Sequence, residues 1–418
     1  MADFSLIDSA APLMKRYYDD RRVYSMAYKN RPLYAWLPKK TGVVGEASGY
    51  HVPVTIDDIP GESATFASAV AARAGDSHEV WQLNRVRRYA TATLDWETVR
   101  AMSNDMGAFM RAVTPRINSA INQLANSTAW ALYRDATGAR GQSSAANITP
   151  GASGTVVLTT PADARSFSLG RTCVAAAAAS GGALLDSGST AKVKGINVAT
   201  GTITFDTVPA GWDTGTPFIF MLGDHAASGE TLKVIDGMLS WSPASTPGAG
   251  VLFKGVERAK YVEKLLMLKS TVTVSAAGDL AAGVRLAAAK VQANEGSPDA
   301  LFVGPQRWAA LETDLASQSR YEMMMGSDAK TGFDSIVINA GGGKINVVAD
   351  PWCPETKGYM LQRDTWEMFS IDRFPDFVSE DGNRLHRLEG SDAVEFRMGG
   401  YYNVACRAPG HNIDITFA

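Results

Sequence analysis

Met106, Met110, Val113, Ile117, Ile121, Leu124, Thr128 and Leu132 recur at spacings of three and four, which puts them on one face of a single long helix. Asp95 is placed to cap its start and Gly138 to end it. Pro115 is expected to kink the helix or split it in two, with Thr114 as a second cap. About 40 residues of helix would span roughly 60 Å. That is long for a compact domain and suited to a beam crossing a flat one.

The segments before the helix cannot build a core by themselves. In residues 1–40, Lys15, Arg16, Arg21, Arg22, Lys29, Arg31, Lys39 and Lys40 outnumber Asp3, Asp8, Asp19 and Asp20. Tyr17, Tyr18, Tyr24, Tyr28, Tyr34 and Trp36 are interleaved with them, and Pro32 and Pro38 interrupt any long helix. Aromatics and Arg are enriched at interface hot spots, so this composition predicts an arm lying on a neighbour. Tyr17, Tyr18, Arg21, Arg22, Tyr24, Tyr34 and Trp36 are its expected contacts. Next come two extended stretches, Tyr50–Ile56 and Val80–Leu94, around a tip, Gly61–Val70, rich in small residues. A hairpin this long and this poor in apolar residues needs a partner surface, with another subunit the expected one. Arg85, Arg87 and Arg88 are expected to make bidentate contacts to acidic groups there.

After the helix the composition changes. From Gly141 to about Pro247 the chain is rich in Gly, Ala, Ser and Thr. Thr155–Leu158, Arg171–Val174, Lys192–Ile196, Thr202–Phe205 and Phe218–Met221 read as short strands, with turn signals at Ala199–Gly201 and Ala210–Gly211. Their spacing predicts a small inserted β-barrel or sandwich. Beyond it, Leu280–Val291 and Pro305–Ser317 read as helices around a buried strand, Asp299–Val303. Ile336–Ile338, Ile345–Val348, Tyr359–Leu361, Val394–Arg397, Tyr401–Arg407 and Ile413–Phe417 read as strands, an α+β body with a mostly antiparallel sheet.

Composition narrows the function classes. The 418 residues, 45% hydrophobic and 20% charged, allow two or three folding units with sizeable cores. A net charge of −3 does not mark a nucleic-acid or membrane-surface binder. No run of about 18 apolar residues suggests a membrane span, and Met1–Phe4 does not read as a secretory leader. Cys173, Cys353 and Cys406 lie far apart, which fits buried thiols in a reducing compartment better than disulfides or zinc ligands. His51, His78, His225, His386 and His411 are scattered. Ala340–Ile345 lacks the earlier glycine and the Ser/Thr of a phosphate loop and reads as a hairpin tip. Asp57 and Asp58 read as solvated turn residues, and Met323–Met325 as an adaptable contact or core filling. No nucleophile elbow is present, and no catalytic, metal-binding or cofactor-binding residue is expected.

The order of parts resembles the tailed-bacteriophage major capsid proteins of the Hong Kong 97-type fold. Pro298-Asp-Ala-Leu-Phe-Val-Gly-Pro-Gln-Arg-Trp-Ala-Ala-Leu311 looks like the strand–Pro–helix of that family's axial domain. Arg397-Met-Gly-Gly-Tyr-Tyr-Asn-Val-Ala-Cys-Arg-Ala-Pro409 looks like its closing strands. The resemblance implies an N-arm (1–41), an extended hairpin or E-loop (42–95), a spine helix (96–138), the inserted β-rich domain (139–247) and peripheral and axial segments (248–418). It implies a non-enzymatic subunit of an icosahedral shell, built from hexamers and pentamers around double-stranded DNA touched without sequence preference. Separate scaffolding, portal and possible decoration proteins would be the partners, with no membrane and no cofactor. The expected location is the virion, assembled in a bacterial host's cytoplasm. Some members crosslink through a hairpin lysine, but no lysine occurs between Thr41 and Ala191, so the shell is expected to be noncovalent. About 40 residues precede the hairpin, fewer than a built-in scaffolding segment needs. An encapsulin-like compartment is the alternative, with a phage tail or adhesin subunit and a hydrolase carrying a β-sandwich further off.

Overall fold

The long helix runs from Met106 to Leu132 and passes through Pro115 without a break. Its 27 residues span roughly 40 Å, shorter than the expected beam. No second helix starts at Thr114, and Pro115 lies on the exposed side. Asp95 is the last residue of a strand and pairs with Ala393 across a ladder, and residues 96–105, where its cap was expected, lie outside the described residues. At the other end the turn tightens, with Tyr133 N–H donating to the Trp130 carbonyl and Arg134 N–H to that of Ala131. Gly138, at φ +83°, lies six residues past the helix end. The apolar stripe is buried wherever the structure describes it, at Ile117, Ile121, Leu124, Thr128 and Leu132.

This computed structural model describes residues 26–42, 49–57, 61–72, 77–95, 106–275, 278–318, 336–340, 343–378, 384, 386–388 and 390–418. The chain divides into two units: a body of residues 1–124 with 238–418, and an inserted unit of residues 125–237. Both boundaries fall earlier than the composition shift suggests. The last turns of the helix belong to the insertion, and Trp241 already belongs to the body, where it packs edge-on against Trp81.

The body contains two six-stranded sheets. The first is organised by one strand of 14 residues, Ala393–Cys406, which joins the two strands expected at its ends. Val86–Asp95 lies antiparallel along one side of it. Trp366–Ser370, Asp376–Phe377 and His386–Arg387 share the other side. Lys39–Lys40 adds a parallel edge against Trp366–Ser370. Gly399 and Gly400 sit mid-strand because neighbours come too close for a side chain. A Cβ at Gly399 would meet the Tyr89 ring at 2.6 Å, and one at Gly400 the Phe374 ring at 2.8 Å.

The second sheet runs in the order Leu268–Val272, Ile413–Phe417, Lys357–Leu361, Ala300–Val303, Gly343–Ala349, Ile336–Ala340. It is mixed: Leu268–Val272 with Ile413–Phe417, and Ala300–Val303 with Gly343–Ala349, are parallel. Helices Asp279–Ala293 and Pro305–Gln318 cover it, burying Val284, Val291, Leu301, Leu311, Ile345 and Ile415 in one core. The helix Asp279–Ala293 closes with two reversed bonds, Glu295 N–H to Gln292 O at 3.0 Å and Gly296 N–H to Val291 O at 2.9 Å. This motif needs a left-handed residue at the position Glu295 holds, at φ +63°.

In the inserted unit, Thr202–Phe205, Thr155–Leu158, Ala139–Thr149, Phe218–Met221, Thr172–Ala176 and Ala191–Asn197 form a closed barrel. Closure removes both edges, which short and weakly apolar strands need. Ala139–Thr149 was not expected as a strand, being rich in Gly, Ser and Ala, yet it pairs on both sides. The barrel is filled by Val156, Ile203, Phe205, Trp212, Ile219 and Met221. Arg140, 2% exposed, pairs with Asp224 at 3.3 Å and stacks on Trp130 at 3.9 Å.

Replacing Glu295 with Gly removes the cost of a side chain in left-handed backbone. The body is expected to gain about 0.5–1 kcal/mol in chemical denaturation. An unchanged or lowered midpoint would contradict this reading of the helix end.

Candidate functional site

The extended hairpin is shorter than expected and largely clothed by its own chain. Tyr50–Asp57 pairs antiparallel with Ser77–Leu83, Tyr50 opposite Leu83 and Val54 opposite Glu79. Alternation turns Val52, Val54, Ile56, Trp81 and Leu83 to one face, and all five are buried. Trp81 meets Trp241 at 5.3 Å and Phe253 at 5.8 Å, both edge-on. Gln82 N–H donates to the Lys254 carbonyl at 2.8 Å. This face is buried within the body itself, with Trp241 and Phe253 against Trp81, so it is not a surface left for another subunit.

The tip differs. Phe66–Ala71 is a short helix, which small residues permit, with the Thr65 hydroxyl accepting from Ser68 N–H at 3.4 Å. None of its residues is buried, and Phe66 is 86% exposed, with Val70 beside it on the same short helix.

Val80–Leu94 is not one strand. The ladder stops at Leu83, and Val86 begins a strand of the other sheet; Asn403 Nδ2 holds the Asn84 carbonyl between them at 2.7 Å. Arg87 is exposed and lies over the Tyr401 ring at 5.9 Å, while Arg85 and Arg88 are half-buried. The Tyr89 and Tyr401 hydroxyls bond at 3.0 Å, and that bond raises the Tyr89 phenol above its ordinary pKa. Tyr89 and Tyr401 were missed as surface groups. The alternation from Arg87 marks Tyr89, whereas Tyr401 becomes visible only through its pairing with Arg87.

The basic, aromatic arm is knit into its own body from Met26 onward. Tyr34 is fully buried, its hydroxyl donating to the Phe374 carbonyl at 3.2 Å. Trp36 is half-buried against Phe302 at 5.3 Å. Tyr34 therefore covers its own body, while part of the Trp36 ring stays at the surface. Arg31, 6% exposed, donates to the carbonyls of Met26, Ala27 and Lys29 at 2.9–3.0 Å and reaches Asn122 at 3.4 Å. Lys39 Nζ donates to the Tyr34 carbonyl at 2.7 Å and lies over Tyr28 at 4.2 Å. Asp350, 1% exposed, accepts from Leu33 N–H at 3.1 Å and from Trp352 N–H at 2.9 Å. Tyr17, Tyr18, Arg21, Arg22 and Tyr24 lie outside the described residues, as do Asp58 and Met323–Met325.

Little in this arrangement suits covalent chemistry. Burial pushes the Cys173 thiol up to about 12, and raises Cys353 and Cys406 as well, which keeps all three from forming thiolates. Ala340 and Gly343 pair antiparallel at the end of the ladder between Ile336–Ala340 and Gly343–Ala349. Among the described residues, no cluster of His, Cys, Asp and Glu could hold a metal, and no helix is long and apolar enough to cross a membrane. A cavity of about 250 Å³ mixes Lys264, Arg407 and His411 with Glu295, and neither charge dominates.

Asp350→Ala strands two buried amide groups and should cost about 1–3 kcal/mol. Limited trypsin proteolysis should then cut after Lys29 or Lys39, sites that stay protected in the wild-type chain. Equal resistance of the alanine variant would show that Asp350 does not hold the arm.

No protein-family model and no curated protein matches the sequence. Solved structures do match. A chain of the cyanophage A-1(L) capsid asymmetric unit aligns over 93% of this chain and 92% of its own, with 10% identity and a TM-score of 0.53. Gordonia phage Cozz (10% identity, 93% and 87% covered, TM-score 0.41) also aligns. So does the holo-SrpI encapsulin complex of Synechococcus elongatus (8% identity, 92% and 86% covered, TM-score 0.41). Scores below 0.5 add nothing to the assignment. The fold rests on the first alignment: the chain has the α+β fold of a phage capsid subunit.

Proposed function

We propose that the chain is the structural subunit of a closed icosahedral shell, a Hong Kong 97-type major capsid protein enclosing the double-stranded DNA of a tailed bacteriophage. The observation that carries this reading is the hairpin: a stalk fixed on the body by five buried side chains, ending in a tip with none buried and Phe66 exposed. A lone soluble subunit gains nothing from displaying such a ring, whereas a subunit surrounded by copies of itself buries it at every contact.

On this reading the subunit does no chemistry, binds no cofactor, and acts through many moderate contacts in hexamers and pentamers. Each contact is weak enough to be reversed during assembly, and their sum closes the shell. The tip lies on one neighbour. Residues before Met26, with Tyr17, Tyr18, Arg21, Arg22 and Tyr24, reach another. Arg85, Arg87 and Arg88 face acidic groups beside them. Pro115, inside the helix without its own N–H, is where the spine bends between immature and mature shells. Packaged DNA is touched electrostatically, without sequence preference. Scaffolding, portal and any decoration proteins are separate chains, and assembly takes place in the host cytoplasm.

Phe66→Ser should leave subunit stability within about 0.5 kcal/mol, since the ring is exposed. Particles should vanish from negative-stain images of the same preparation; normal shells would remove the tip from assembly. Wild-type particles should carry nuclease-protected DNA, and a protein cargo instead would point to a cellular compartment. Mature particles should also run as single subunits in denaturing gels, because no lysine lies between Thr41 and Ala191. A ladder of covalent multimers would refute the noncovalent shell.

A further inference from the structure

We infer that the barrel is a detachable accessory module, and that everything needed to build the shell lies in the body. The inference rests on the shell reading above for its assembly arm and on the geometry of residues 125–237 for the rest. Three observations carry it.

The first is closure. A six-stranded barrel pairs all its strands internally, so it offers no edge for another chain to extend. Its core is its own: Val156, Ile203, Phe205, Trp212, Ile219 and Met221 pack on one another, with Trp212 edge-on to Phe205 at 5.6 Å.

The second is how its charges are spent. The buried pair of Arg140 with Asp224 and the half-buried pair of Arg134 with Asp163 both lie inside residues 125–237. Arg140 also bonds Ser127 at 2.9 Å. A pair held within one unit stays paired when that unit is removed whole, whereas a pair split between two units would leave an unpaired charge.

The third is the meeting of the chain's two ends. A Cβ at Gly237 would run into the carbonyls of Ala131, Leu132 and Arg134, so the outgoing chain lies directly against the end of the incoming helix. A Cβ at Gly138 would meet Val234 at 3.0 Å, which continues the contact into the first strand. The barrel therefore leaves and rejoins the chain at one point. Insertions with adjacent ends can be removed or exchanged with little change in the path of the host.

The test replaces residues 125–237 of the full chain, the whole inserted unit, by a glycine-serine linker from Leu124 to Met238, so that both members of the Arg134–Asp163 and Arg140–Asp224 pairs leave together. The expected product is a folded subunit that forms shells of wild-type diameter in negative stain. A soluble, folded deletion variant that forms no particles would overturn the inference, and wild-type particles alongside would leave the shell reading standing. If the wild-type chain itself forms none, the shell reading fails first, and the module is judged by calorimetry. There Trp212→Ala in the intact chain should lower one of two unfolding transitions by about 10–20 °C and leave the other in place. The same measurement decides the matter if the deletion variant is insoluble. Transitions that fall together would refute an independent module.

Discussion

Ladder hydrogen bonds along one strand, Ala393–Cys406, decide where most of the body's other parts can lie. One side is taken from Val86 to Asp95, and the other is shared by Trp366–Ser370, Asp376–Phe377 and His386–Arg387. A chain leaving the hairpin at Leu83 must therefore turn at Asn84 and Arg85 to enter its place in the sheet. Asn403, on the same long strand, fixes that turn by holding the Asn84 carbonyl. The hairpin's exit is thus set by residues more than 300 positions away.

The hairpin then divides energetically at its middle. Fully burying a large aliphatic or aromatic side chain contributes about 1.5–3 kcal/mol. Val52, Val54, Ile56, Trp81 and Leu83 supply that burial on the stalk, with Trp241 and Phe253 receiving Trp81. The tip has only helical hydrogen bonds and one Thr65 cap, and a helix this short is marginal by itself. The proposed contact with a neighbouring subunit would supply the burial that the described residues do not give it.

The arm reverses the usual meaning of a basic, aromatic segment. Arg31 and Lys39 spend their charge on the subunit's own carbonyls, and Tyr34 and Trp36 cover its sheet. Asp350 answers from the far sheet by capping Leu33. Such donors are worth most where water is excluded, so the composition that marks an interface also marks an arm folded onto its own body. Only geometry separates the two cases.

Periodicity alone carried much of the fold. The 3.6-residue stripe from Ile117 to Leu132, the two helices around Ala300–Val303, five of the six barrel strands and the strand ending at Phe417 were all legible, because burial of one face leaves a local imprint. The exposed tip showed as a run of small residues, though not that Phe66 would stand out on a helix. What the sequence could not decide was pairing. Asp95 looked like a cap and is a strand end, Val80–Leu94 looked continuous and is split between sheets, and Tyr34 looked like a contact for a neighbour and is internal cover. Ala139–Thr149 has no strand signal of its own and exists because two partners flank it. Local sequence fixes which face of an element is apolar; which distant surface covers that face is a competition among the whole chain's surfaces, and only the tertiary structure decides it.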